Sequence, residues 1–181
     1  MSDNVKRCIN NIEKPINDSR IYRGLVLKNG LTTLLISDLD TEQSVASLVV
    51  AVGSLSEPKY LPGLAHFCEH LLSMGTKKYP EENEFTRFLD QNNGTYNAYT
   101  STDHTNHFFS INTESLKPSL DRFAQFFIEP LFTMDAIKRE INVINSEHEN
   151  NIANDRWRLA QLESNSADPN HSFYQFATGK L

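Results

Sequence analysis

Pro62-Gly-Leu-Ala-His66-Phe-Cys-Glu69-His70-Leu-Leu-Ser-Met-Gly75 is the stretch on which the reading of this chain turns. Proline is tolerated in the first turn of a helix, where its missing N–H costs nothing, and glycine commonly stops one. Between them Leu64, Phe67, Leu71 and Met74 recur every three or four residues, the stripe of an amphipathic helix laid on a core. With about 100° of turn per residue, His66, Glu69 and His70 share one arc beside that stripe. Two imidazoles one turn apart can reach a single metal ion, and the carboxylate between them faces the same space. Zinc suits such ligands, and a catalytic zinc keeps three protein ligands and one open position. A third ligand must then come from elsewhere in the chain. The plainer reading is two ordinary surface or core histidines on an ordinary helix.

Upstream, residues 1–20 are polar and mixed in charge, and read as a lead-in segment with little core of its own. Apolar runs at 23–27 and 31–36 flank Lys28-Asn29-Gly30, a hairpin signal because both Asn and Gly tolerate positive φ. The run at 44–54 is nearly continuous in apolar residues, as in a central strand buried on both faces. Downstream the pattern predicts a short helix over 81–91, strands near 94–101 and 105–112, and helices near 116–129 and 134–162. The order is α+β, with a mixed, mostly antiparallel sheet packed against helices. Residues 21–181 read as one domain. The aromatic stretch 171–181 has nothing after it to pack on, so the domain is expected to be incomplete at its C-terminus.

Composition narrows the class. The 181 residues are 39% hydrophobic and 22% charged, enough apolar surface to bury a core. A net charge of −6 argues against nucleic acid as a partner, and no apolar run approaches the roughly 18 residues of a membrane span. Two cysteines, Cys8 and Cys68, are too few for a disulfide scaffold. With no apolar leader at the start, a cytoplasmic location is expected. Cys68 reads as a buried thiol, and His104, His107 and His148 as ordinary polar residues.

The last helix supplies acidic candidates. Glu140 and Glu147 are seven residues apart and share a face. If that face packs on the histidine helix, one glutamate completes the site and the other can accept the free N–H of a ligand histidine. Glu69, not itself a ligand, would then serve as general base for a zinc-activated water attacking a peptide carbonyl.

His-x-x-Glu-His is the signature of the inverted zinc proteases. The run from Gly63 to Pro80 closely resembles the insulysin/pitrilysin family of inverzincin metalloproteases, as do Leu120-Asp-Arg-Phe-Ala-Gln-Phe-Phe127 and Ser146-Glu-His-Glu149. The resemblance covers about residues 21–180. In that family a third zinc-binding glutamate follows the motif by the 76 residues that here separate His70 from Glu147. The resemblance thus implies one zinc ion held by His66, His70 and Glu147, with Glu69 as base and Glu140 supporting the site. It also implies that Asn97 and Ala98 bind a peptide as an added β-strand, and that Tyr99 and Trp157 stand at apolar substrate-pocket positions. Ser73 departs from the pattern, being smaller and more polar than the aromatic of relatives. The activity implied is hydrolysis of peptides and small proteins. The family's enzymes are far longer and close two halves around the substrate. The alternative is therefore a catalytically silent zinc- and peptide-binding fragment, partnered by the missing remainder of a longer chain or by a related subunit.

Overall fold

The computed structural model describes residues 3–174, and all of its strand ladders are antiparallel. The chain divides after Glu42 into two compact units. The first is a three-stranded sheet in the order β1 (Val5–Ile9), β2 (Ile21–Leu27), β3 (Thr32–Ser37). The segment read as a lead-in thus contributes a strand. Its pattern hid this because the register shifts between Val5 and Arg7. A bulge of that kind adds a residue, so the half-buried Val5 and Cys8 stand three apart rather than two. The hairpin after β2 forms where expected, with Gly30 N donating to Leu27 O at 3.0 Å. Gly30 alone takes positive φ (+93°), while Asn29 accepts from Leu31 N through its side chain.

The second unit carries a sheet in the order β4 (Gln43–Val50), β6 (Thr105–Asn112), β5 (Thr95–Thr100). Among the described residues five α-helices accompany it: α1 (Leu64–Leu72), α2 (Glu84–Asp90), α3 (Leu116–Ile128), α4 (Met134–Ile152) and α5 (Asp155–Asn165). The expectation that the 44–54 run forms a doubly buried central strand is corrected: β4 lies at an edge, and Val45 and Val49 are 68% and 60% exposed. An unbroken apolar run does not distinguish two buried faces from one. The centre is β6, where Thr105, His107, Phe109 and Ile111 alternate inward. Phe109 and Ile111 meet Phe85 and Leu89 of α2 and Phe123 and Phe126 of α3 in the core. The helix expected over 134–162 is broken at Ala153–Asn154, because the Asn154 side chain accepts from Arg156 N at 2.9 Å and starts α5 afresh. Most of the aromatic C-terminal stretch, 175–181, lies outside the described residues.

His107 is wholly buried beneath this sheet. Its Nδ1 lies 2.9 Å from the Tyr96 hydroxyl, its Nε2 has no partner among the described residues, and its ring meets Phe127 edge-on at 5.3 Å. Burial lowers the imidazole to about 4, while burial and then the charge of Glu69 push the Tyr96 phenol upward. The unfolded chain takes up a proton near pH 6.5 and the native chain does not until about pH 4. Stability is therefore lost as pH falls through that window, by up to about 3 kcal/mol. In urea melts between pH 7 and pH 4.5, His107→Gln should show a shallower decline than the parent; parallel declines would contradict this.

Candidate metal centre

The path into α1 is built for close approach. Gly63 precedes the helix at φ +86°, and the buried carboxylate of Glu57 accepts from Gly63 N and Ala65 N, both at 2.7 Å. A carboxylate there satisfies donors that every helix start leaves open and favours the positive end of its dipole. Gly75 follows at φ +111°, where a Cβ would lie 2.9 Å from Pro80 O. Leu71 is buried, and Leu64, at the outer end of the predicted stripe, is 38% exposed.

α1 packs on α4, which Thr133 caps by accepting from Ala136 N. That contact brings four predicted residues together. His66 Nε2 and His70 Nε2 are 3.2 Å apart, and Glu147 Oε2 lies 3.8 Å from the first and 3.7 Å from the second. Zinc bonds of about 2.0–2.1 Å at tetrahedral angles set ligand atoms roughly 3.3 Å apart. The triangle is close to that size, and its donor set, two imidazoles and a carboxylate, could hold such an ion. Glu140 takes a different place. It is buried, and its Oε2 lies 3.0 Å from His70 Nδ1, the ring nitrogen turned away from the triangle. A neutral His70 with its proton on Nδ1 donates to Glu140 and leaves the Nε2 lone pair for a metal.

Glu69 points to β5, where its Oε2 accepts from Thr100 Oγ1 at 2.6 Å. On the same strand Asn97 is exposed, and its Oδ1 accepts from Ala98 N at 2.9 Å. β5 is an edge strand, paired with β6 on one side. Tyr99 is half-exposed and meets His104 edge-on. Trp157 stands apart on α5, half-exposed, in a cavity of about 620 Å³ shared with Ile152, Leu162 and Phe173. Tyr99 does not line that cavity. Ser73 lines a small separate cavity with Thr76, Phe85 and Phe126. Cys68 is half-buried, and burial pushes its thiol up, away from a nucleophile's range. Glu57 and Thr100 escaped the sequence reading. Neither sits at a helical spacing from the residue it serves, and no local signal marks them.

Comparison with known proteins identifies the family and the fold. Residues 32–170 match the family described as Insulinase (Peptidase family M16). The human insulin-degrading enzyme is 53% identical over 175 residues, 97% of this chain and 17% of that protein. A Caenorhabditis elegans protein bearing the name of a proposed zinc protease is 48% identical over 175 residues, 97% of this chain and 20% of its own length. The crystal structure of pitrilysin superimposes with a TM-score of 0.93 at 34% identity, covering 98% of this chain and 19% of that one. The chain thus spans about a fifth or less of the relatives it matches.

Proposed function

The chain belongs to the insulinase family, peptidase family M16, and from that premise we propose that it is the zinc-carrying part of a metalloendopeptidase acting on peptides and small proteins. The observation that carries this reading is the triangle of His66, His70 and Glu147, with Glu69 beside it and not part of it. Three ligands plus a nearby carboxylate that is not a ligand is a catalytic pattern rather than a closed structural one. Zinc held there would polarise a peptide carbonyl and make a water molecule more acidic.

The protein's own residues do the rest. Glu140 fixes the His70 ring and its proton. Glu69, held through Oε2, has Oε1 to take the proton of the attacking water and pass it to the leaving amine. Substrate is captured on the open edge of β5. An incoming peptide carbonyl takes over the Ala98 N–H now held by Asn97, and the freed Asn97 amide bonds the added strand. Tyr99 and Trp157, both half-exposed, supply apolar surface for substrate side chains at separate places.

A second reading is supported by the share of its relatives the chain spans, 17% of the human enzyme. In it the chain binds zinc and peptide but turns nothing over, and pairs with the remainder of a longer chain or with a related subunit. A cytoplasmic location fits either reading. Among the described residues no helix is long and apolar enough to cross a membrane.

Cleavage of a quenched fluorogenic peptide by the purified chain separates the two. The enzyme reading predicts turnover that a chelator abolishes and added zinc restores. Peptide binding without turnover gives the second reading, and turnover indifferent to chelation contradicts both.

A further inference from the structure

We propose that Thr100 is a positioning residue for Glu69, so that the strand that takes the substrate also sets the orientation of the base. The inference deepens the enzyme reading above and rests on it. Thr100 closes β5, on the same face as Ala98 two residues earlier. Its hydroxyl donates to the Glu69 carboxylate at 2.6 Å, the length of a charge-assisted bond. A β-branched side chain at a strand end is stiff at χ1, whereas a glutamate has several rotatable bonds. The hydroxyl therefore fixes the carboxylate and not the reverse.

The backbone around this contact is already held. Directly after Thr100, Ser101 O accepts from Ser54 N at 3.0 Å and Thr102 O accepts from Leu55 N at 2.9 Å. The approach is so close that a Cβ on Gly53 would lie 2.4 Å from Ser101 O. Two residues beyond Leu55, Glu57 grips the start of α1. The end of β5 and the start of α1 are thus joined through one short segment, and the Thr100–Glu69 bond joins them again a turn and a half into the helix. With the backbones set in this way, the hydroxyl selects which rotamer Glu69 adopts. It also occupies Oε2, leaving Oε1 as the oxygen that meets water. Periodicity and motif cannot show this, because Thr100 and Glu69 are 31 residues apart on different elements.

The test uses the zinc-loaded chain carrying Thr100→Val, which keeps shape and removes the hydroxyl, and Thr100→Ser, which keeps the hydroxyl. Thr100→Ala replaces the valine variant if that one does not fold. Crystal structures, zinc content and peptide kinetics are measured on each. The expected result is a displaced Glu69 carboxylate in the valine variant with one zinc per chain retained. kcat should fall about 10- to 100-fold with KM within about twofold of the parent, and serine should restore both position and rate. An unmoved Glu69 in Thr100→Val, or a serine variant as impaired as valine, overturns the proposal. If the parent chain turns nothing over, the enzyme reading fails by itself, and the position of Glu69 in the valine structure still decides this one.

Discussion

Glu69→Gln should retain zinc and lose peptide turnover by about 10²- to 10⁴-fold, the contribution of a well-placed general base. Glutamine keeps the length of the side chain and a carbonyl oxygen to accept from Thr100 Oγ1, so the local hydrogen bonding survives. It cannot take up a proton. None of the three triangle atoms belongs to Glu69, so metal binding should be unchanged. Initial rates on a quenched peptide, read beside zinc content by mass spectrometry, test this directly. A variant that cleaves at the parental rate would remove Glu69 from the chemistry, and one that loses zinc would make it a ligand.

His70→Ala should weaken zinc binding on the order of 10²- to 10⁴-fold, roughly one ligand's share of the binding free energy of a structural zinc. His70 serves two partners: Nε2 faces the triangle and Nδ1 lies 3.0 Å from Glu140. Removing it also leaves the buried Glu140 carboxylate without its imidazole, which costs a few kcal/mol of fold stability at neutral pH. Glu140→Gln should do less, about 10- to 100-fold in metal affinity, because it alters only the tuning of His70. Competition against a chromophoric chelator gives both affinities, and thermal unfolding of the metal-free proteins gives the stability difference. Equal zinc affinity in His70→Ala and the parent would exclude His70 from the centre.

Helical residues were the most legible part of the site. A 3.6-residue period fixes the relative directions of i, i+3 and i+4, so the common arc of His66, Glu69 and His70 follows from their numbers alone. The same rule places Glu140 and Glu147 on one face. It leaves open which of them meets which histidine, since that depends on the sliding of α4 along α1. In the structure Glu147 approaches both Nε2 atoms, and Glu140 approaches the far side of His70. Strand positions were less legible. β4 reads as central from its composition, yet the alternation of β6 makes β6 the strand with a buried face at every second residue. β1 was hidden by one bulge, and the break between α4 and α5 by one capping asparagine. Glu57 and Thr100 mark the limit of sequence reading. Each acts across a loop or between elements, through contacts that no spacing along the chain encodes.

Anomalous scattering at the zinc edge from crystals of the zinc-loaded chain is the most direct test of the centre itself. The account predicts a single ion bonded to His66 Nε2, His70 Nε2 and Glu147, with Glu69 outside its ligand shell and still held by Thr100. An ion bound elsewhere, an ion bonded to Glu69, or a folded crystalline chain that takes up no zinc at all would contradict it.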